Sequence, residues 1–227
     1  MISRAEELAT NLQNVRARIA AAATSSHRTV EEVTLIAVTK TYPSSDVEIL
    51  YDLGIRNFAE NRDSEGRLKS RVVPATWHFQ GQIQSNKIAS IASWANVIHS
   101  LDDPRHLKTL SRSVPDSKVM SVFIQVCLDP QPGRGGTSPQ GLSPLAELVM
   151  EEPSFVLEGL MAVAPLGENP ESAFARLAQI HSDFSQQFPS ARSLSAGMSG
   201  DFEVAIRYGA THIRVGSSIL GSRAHVG

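Results

Sequence analysis

The chain has 227 residues, of which 41% are hydrophobic and 19% are charged, and its formal net charge is -2. This balance excludes a disordered polymer, and the length predicts one globular domain over residues 1–227. The basic residues are scattered along the chain, so no nucleic-acid partner is expected.

Cys127 is the only cysteine, which excludes an intramolecular disulfide and a thiolate cage for zinc. We expect a small packed residue there and no metal site. No apolar run approaches the roughly 20 residues of a bilayer-spanning helix, and the first residues lack the apolar core of a signal peptide. The sequence therefore predicts a soluble, cytoplasmic monomer with no membrane partner.

Helix and strand patterns alternate along the chain after an N-terminal amphipathic helix, whose apolar residues recur every three or four positions from Ile2 to Ile19. Predicted strands cover 33–38, 57–59, 77–80, 97–99, 119–126, 155–163, 192–196 and 212–215. Predicted helices cover 44–51, 63–70, 85–94, 104–111, 142–150, 171–188 and 202–208, and 216–218 could open a last one. Residues 129–140 are rich in proline and glycine and predict a loop.

Eight strands, each followed by a helical segment, predict a single (β/α)8 TIM barrel with an extra N-terminal helix. The order of elements leaves a doubly wound open sheet as the alternative, because both folds alternate strands with helices.

Lys40 directly follows the almost wholly apolar first strand. The period of two puts Ile36, Val38 and Lys40 on one face, so the amine is predicted to point toward the barrel mouth, where the active sites of this fold lie. Partial burial there would favour the neutral amine that forms an imine with an aldehyde. Alternatively, Lys40 only marks the strand end and extends into solvent.

Small residues follow the last two predicted strands, at 197–201 and 216–218, where barrels commonly bind phosphate. Backbone N–H groups there can face an anion, and Ser199 and Ser217 add hydroxyl donors. Both segments could equally be ordinary helix caps.

Arg214 shares a strand face with His212 and Gly216, so it is predicted to point into the barrel, where a cation needs a partner. If a pyridine ring spans from Lys40 to the phosphate loops, this guanidinium could donate to the ring nitrogen. Because arginine keeps its proton, that nitrogen would stay unprotonated and the ring would be a weaker electron sink.

Six sets of residues, in order along nearly the whole chain, resemble the small PLP-binding proteins of the YggS/PROSC type, the pyridoxal phosphate homeostasis family. They are Leu-Ile-Ala-Val-Thr-Lys (35–40), Phe-Ala-Glu-Asn (58–61), Trp-His-Phe-Gln-Gly with Gln-Ser-Asn-Lys (77–81 and 84–87), Gly-Leu-Met-Ala (159–162), Ser-Ala-Gly-Met-Ser-Gly-Asp (195–201) and Arg-Val-Gly-Ser (214–217). Ala59 departs from a glycine that is frequent in the family.

The resemblance implies a barrel similar to the N-terminal domain of bacterial alanine racemase. It also implies pyridoxal 5′-phosphate (PLP) held as a Schiff base on Lys40, with Arg214 facing the pyridine nitrogen. By the same resemblance, the phosphate contacts Ser199, Gly200, Gly216 and Ser217, and the pocket is lined by Asn61, His78 and Met198. Relatives also carry a basic residue and glycine near 133–136, and the role of that loop does not follow from the sequence.

The function implied by the resemblance is a non-enzymatic PLP carrier in the homeostasis of vitamin B6 and amino-acid pools, with PLP-dependent apoenzymes as candidate partners. An amino-acid racemase is the alternative, and it needs proton donors on both faces of its substrate. In the resembled racemases a second domain supplies a tyrosine, whereas this sequence offers only Tyr42, Tyr51 and Tyr208. A third alternative is a barrel aldolase or isomerase that binds a phosphosugar through Lys40.

Overall fold

The computed structural model describes residues 2–129 and 134–221, and these form a closed parallel barrel. Its strands are β1 (Thr34–Val38), β2 (Asn57–Glu60), β3 (Thr76–Phe79), β4 (Val97–Leu101), β5 (Met120–Gln125), β6 (Phe155–Met161), β7 (Ser193–Ser195) and β8 (His212–Val215). Each strand pairs with the next, and β1 pairs with β8, with Ile36 opposite Arg214. This closure confirms the predicted barrel and excludes the doubly wound sheet.

The helices follow the predicted order. They are α1 (Arg4–Ser25), α2 (Ser44–Asp52), α3 (Asp63–Lys69), α4 (Ile88–Trp94), α5 (Pro104–Ser111), α6 (Leu142–Glu151), α7 (Pro170–Gln187), α8 (Phe202–Arg207) and α9 (Ser217–Leu220). The helix predicted at 85–94 begins with a 3-10 turn, Ser85–Lys87. Gly133, part of the predicted loop, lies outside the described residues. None of the helices within the described ranges is long and apolar enough to cross a bilayer.

Helix α1 begins at a capping box in which the Ser3 hydroxyl accepts from the N–H of Glu6 and the Glu6 carboxylate accepts from the N–H of Ser3. Its buried stripe includes Leu8, Leu12 and Val15, as the sequence pattern predicted. The helix packs against α8 and α9, the helices that precede and follow β8.

The strands present apolar side chains outward to the helices and a mixed set inward. The interior contains two small apolar clusters, one of Ile36, Val38 and Ala59 and one of Val97, Phe123 and Met161. The rest of the buried interior is polar and carries His78, His99, Ser195 and Arg214. Branched apolar residues usually fill a barrel of this size, so the buried polar band requires an internal hydrogen-bond network.

Candidate functional site

The predicted site residues gather at or near the C-terminal ends of the strands. Lys40 lies in the turn after β1, Asn61 follows β2, Met198, Ser199 and Gly200 follow β7, and Gly216 and Ser217 open α9, while His78 and Arg214 lie within β3 and β8. Because β1 neighbours both β2 and β8, and β7 neighbours β8, the residues come from one contiguous sector of the barrel.

Lys40 is exposed, so the expectation of partial burial is wrong. The sheet hydrogen bonds of β1 end at Thr39, whose N–H donates to the Ala59 carbonyl at 3.1 Å. Thr41 then adopts a left-handed conformation with φ 70°, and the turn brings Lys40 to the rim of the barrel. The amine is therefore accessible at the strand end instead of enclosed within the strand layer.

The two predicted phosphate loops contact each other through Ser199. Its hydroxyl accepts from the backbone N–H groups of Gly216 at 3.2 Å and Ser218 at 3.3 Å, and the Ser218 hydroxyl donates to the Ser199 carbonyl at 3.3 Å. A Cβ at Gly216 would lie only 3.2 Å from the Val38 carbonyl oxygen. The missing side chain thus lets this loop approach β1 two residues before Lys40. Ser218 joins this site although the sequence did not single it out.

Side chains from outside α9 hold its last carbonyl groups. The Ile219 carbonyl accepts from Asn11 Nδ2 at 3.0 Å, and the Leu220 carbonyl accepts from Arg4 Nη2 at 3.0 Å. The Gly221 carbonyl accepts from the Tyr42 hydroxyl at 2.5 Å. The terminal carbonyls of a helix lack partners within it, so these bonds anchor the short helix that begins at the phosphate loop.

Arg214 points into the barrel, as predicted, and is 3% exposed. Its Nη1 donates to the Ser195 hydroxyl at 2.7 Å and its Nη2 to the Ala162 carbonyl at 3.0 Å. Burial lowers the pKa of this guanidinium to about 10, opposed by the negative charge of Asp201. It therefore remains a cation, and a donor only, at neutral pH.

A chain of buried hydrogen bonds runs from Arg214 to the start of β2. His99 Nδ1 lies 2.9 Å from the Ser195 hydroxyl, His99 Nε2 lies 2.8 Å from His78 Nδ1, and His78 Nε2 lies 3.1 Å from Asn57 Oδ1. The Asn57 oxygen only accepts, so a neutral His78 donates from Nε2 and accepts at Nδ1. His99 then donates to His78 and accepts from Ser195, whose oxygen accepts from Arg214. All the bonds run in one direction, and we call this set the histidine relay.

The histidines of the barrel interior are held neutral. Burial, followed by the positive charge of nearby groups, lowers the pKa of His78 to about 3 and that of His212 to about 4. The pKa of His99 is also lowered well below its usual value, first by burial and then by neighbouring His78, Arg214 and His212. Both His78 nitrogens are engaged in the relay, so this residue could line a pocket only with its ring surface.

Asn61 and Met198 lie at the rim of the barrel. Asn61 Oδ1 accepts from Gln80 Nε2 at 2.9 Å, which joins the exits of β2 and β3. Met198 is 40% exposed, and its backbone N–H donates to Asp201 Oδ1 at 2.6 Å.

Cys127 is half-buried, and its thiol donates to the Asp129 carbonyl at 2.8 Å. Across residues 2–129 and 134–221 there is no cluster of three His, Cys, Asp or Glu side chains that could hold a metal.

The sequence missed the residues that support Arg214. The sequence assigns no role to Ser195 or to His99. The period of two does place both on inward faces of their strands, which could have identified them as interior polar groups. The pairing of His99 with Ser195, 96 residues apart in sequence, depends on a contact across the barrel that no local pattern specifies.

Comparison with known proteins assigns the chain to a family. The family model "Alanine racemase, N-terminal domain" matches residues 10–224. The pyridoxal phosphate homeostasis protein of Mycobacterium bovis is 38% identical over an alignment 243 positions long, which covers 97% of this chain and 94% of the relative. The chain belongs to the pyridoxal phosphate homeostasis protein family.

Other relatives share the whole length and the fold of this family member. The Escherichia coli pyridoxal phosphate homeostasis protein is 36% identical over 231 residues, covering 96% of this chain and 97% of the relative. The structure of PipY from Synechococcus elongatus with PLP bound is 31% identical and superposes with a TM-score of 0.81, over 94% of this chain and all of that one. The family assignment from the sequence motifs is thereby confirmed.

Proposed function

We propose that this protein binds PLP as a Schiff base through the Lys40 amine and acts as a non-catalytic carrier in PLP homeostasis. The observation that carries the proposal is the contact between the two phosphate loops and the end of β1, through Ser199, Gly216 and Val38. That contact holds a set of anion donors beside the strand from which the exposed lysine emerges. PLP is also bound in the solved structure of PipY.

The donors at the phosphate loops suit a phosphate group. Backbone N–H groups at the start of α9 and the hydroxyls of Ser199, Ser217 and Ser218 provide neutral donors. The one carboxylate of segments 197–201 and 216–218, that of Asp201, accepts from the Met198 N–H. Gly200 has no atom within 4 Å of an added Cβ, which leaves open space on the β7 side. The residues present therefore fit the phosphate of PLP, with Gly200 and Gly216 giving the backbone access.

The residues around Arg214 suit the pyridine ring. The bonds of Arg214 to Ser195 and Ala162 use two guanidinium nitrogens, and its planar group is fixed by them. A fixed cationic donor facing the ring nitrogen keeps that nitrogen unprotonated. PLP supplies an aldehyde for the amine and, with a protonated ring, an electron sink. Because the ring nitrogen beside Arg214 stays unprotonated, the site favours storage of PLP over stabilisation of a carbanion.

The positions of the tyrosines favour a carrier over a racemase. The Tyr42 hydroxyl donates to the Gly221 carbonyl. The Tyr51 ring packs against Arg56, whose guanidinium carbon lies 3.9 Å from the ring centroid. Tyr208 follows α8, outside the barrel. A second proton donor opposite Lys40 would therefore have to come from another residue type. The carrier role, and the transfer of PLP to apoenzymes, are part of the same proposal.

The test compares wild-type protein with Lys40→Ala and, as control, with Lys108→Ala, which alters an exposed lysine on α5. After incubation with PLP and gel filtration, wild type and Lys108→Ala are expected to show the Schiff-base absorbance band, which Lys40→Ala lacks. Borohydride reduction followed by peptide mass analysis is expected to find the pyridoxyl group on Lys40. A label on another lysine would overturn the site, and exchange of the α-proton of alanine with deuterium from D2O would overturn the carrier role.

A further inference from the structure

A buried ion cluster lies directly behind the turn that carries Lys40. Lys69, at the end of α3, is 5% exposed, and Glu60, at the end of β2, is fully buried. Lys69 Nζ donates to Glu60 Oε1 at 2.7 Å, to Glu65 Oε2 at 2.8 Å and to the Thr39 carbonyl at 2.7 Å. All three ammonium protons are thus engaged. We call Glu60, Glu65 and Lys69 the ion cluster.

The ion cluster contacts the main chain on both sides of Lys40. Lys69 holds the carbonyl of Thr39, which belongs to the peptide unit before the Lys40 Cα. Glu65 Oε2 accepts from the N–H of Thr41 at 2.6 Å, and that N–H belongs to the peptide unit after it. Peptide units are planar, so fixing one atom group in each of the two planes restricts both backbone dihedrals of Lys40. The direction of its Cα–Cβ bond follows from those dihedrals.

The turn at Thr41 needs this support. A β-branched residue with φ 70° is an outlier for which the surroundings must compensate. The hydrogen bond from Thr41 to a carboxylate is charge-assisted, and the Thr39 hydroxyl is fixed by its own bond to Glu60 Oε1 at 2.6 Å. Side chains from β2 and α3 therefore hold the two residues on either side of Lys40.

Among the described residues Lys69 is the only cation paired with Glu60, whereas Glu65 also has the exposed Arg62 as a partner, with Nη1 4.0 Å from its Oε1. Burial raises the pKa of Glu60, although the hydrogen bonds from Lys69 and Thr39 act to lower it. Burial also acts to raise the pKa of Glu65, but the bonds from Lys69 and from the Thr41 N–H outweigh it and lower that pKa. Removing Lys69 would leave two carboxylates close together in a poorly solvated place, and Glu65 would no longer be held in position to accept from Thr41.

We propose that Lys69, with Glu60 and Glu65, is a positioning device that sets the direction of the Lys40 amine before an aldehyde arrives. The inference rests on the proposed role of Lys40 as the Schiff-base residue. It makes Glu60, Glu65 and Lys69 positioning residues that act through the main chain, because their hydrogen bonds go to one another and to Thr39 and Thr41.

The principal variant is Lys69→Met, which keeps a long side chain and removes all three donors. The matched control is Lys118→Met. Lys118 is also partly buried and also holds backbone carbonyls, those of Ala92 at 2.8 Å and Ala95 at 2.5 Å, but it lies before β5 at the opposite end of the barrel. Glu65→Gln is the milder second variant, since its amide oxygen can still accept from Thr41.

Two measurements are made on each variant. Amide hydrogen exchange at Thr41, followed by NMR without PLP, is expected to accelerate at least tenfold in Lys69→Met and less in Glu65→Gln. The rate of Schiff-base formation with pyridoxal, which lacks the phosphate, is expected to fall about tenfold or more in Lys69→Met. Lys118→Met is expected to match wild type in both, although its melting temperature falls.

Several outcomes would overturn the inference. It fails if Lys69→Met forms the Schiff base at the wild-type rate, or if Lys118→Met slows the reaction equally, which would indicate general destabilisation. If Lys69→Met does not fold, Glu65→Gln decides: unchanged exchange at Thr41 and an unchanged rate overturn the inference. If wild type forms no Schiff base, the proposed function fails, while the exchange data still show whether the ion cluster holds the turn.

Discussion

His78 Nδ1 and His99 Nε2 lie 2.8 Å apart inside the barrel, closer than two charged imidazoles could remain. One ring must donate and the other accept, so protonation of both would place two donors against each other. Neither ring is exposed by more than 2%. The folded barrel therefore excludes the charged forms of these histidines, and its stability should depend on pH.

Acid is expected to destabilise the protein between pH 6.5 and 4. The folded pKa values of His78 and His212 are about 3 and about 4, and that of His99 is also lowered, whereas in the unfolded chain all three titrate near 6.5. Below pH 6.5 the unfolded state binds more protons, so each group costs about 1.4 kcal/mol of stability per pH unit. Above pH 6.5 these histidines are neutral in both the folded and the unfolded state, so this loss of stability is absent. Urea unfolding at pH 7, 6 and 5 measures the slope, and a flat profile would contradict this prediction.

Ser195→Ala should break the histidine relay. It leaves Arg214 Nη1 without its acceptor and His99 Nδ1 without its donor, both buried, and should cost about 2–4 kcal/mol of unfolding free energy. The control is Ser100→Ala, because Ser100 is equally buried but its hydroxyl has no partner among the described residues. Its loss should change the free energy by less than about 1 kcal/mol. Equal effects of the two substitutions in urea titrations would argue against the relay.

Asn11→Ala should loosen the phosphate loop through α9. It removes the donor to the Ile219 carbonyl, a bond worth about 1 kcal/mol, so PLP affinity should fall about fivefold. The affinity for pyridoxal, which lacks the phosphate, should not change. Asn14→Ala, on an exposed position of the same helix, is the control for helix α1. Absorbance titrations measure the affinities of both variants for PLP and for pyridoxal. A parallel loss of affinity for pyridoxal in Asn11→Ala would indicate that the effect does not pass through the phosphate loop.

Gly81→Ala should be strongly destabilising and Gly200→Ala should not. A Cβ at Gly81 would lie 2.0 Å from the backbone oxygen of Asn61, so the exits of β2 and β3 would have to separate, at a cost of about 1–3 kcal/mol or more. At Gly200 the same atom would meet nothing within 4 Å. Melting temperatures of the two variants without PLP test this difference. Similar values would mean that the backbone of Asn61 moves freely.

The alternation of strands and helices and the inward direction of Arg214 could be predicted because both follow from local periodicity, whereas the choice of a closed barrel over an open sheet rested on the number of strands and the family resemblance. Hydrophobic alternation fixed which face of β8 is buried, and the small residues after β7 and β8 indicated where their loops meet. The sequence left open whether Lys40 is partly buried at the barrel mouth or extends into solvent, because this depends on the left-handed turn at Thr41, and a threonine does not signal such a turn.

The partners of the interior groups were also beyond the sequence. Lys69 belongs to a helix rich in charged residues, where a lysine is normally solvated. Its burial is set by how α3 packs against the end of β2, and its contact with Thr39 spans 30 residues. Contacts of this kind depend on the closed three-dimensional arrangement, which periodicity along one element cannot specify.

The pairing of β1 with β8 has a consequence during synthesis. Lys40 leaves the ribosome before the segment that carries Arg214 and Gly216 has been synthesised. At about 5–20 residues per second the delay is roughly ten seconds or longer. A nascent chain that lacks β8 thus presents the Lys40 amine without the groups that we propose hold the cofactor. Under the proposed function, stable loading therefore requires that β8 has joined the barrel, so that products truncated before β8 compete poorly for the cell's free cofactor.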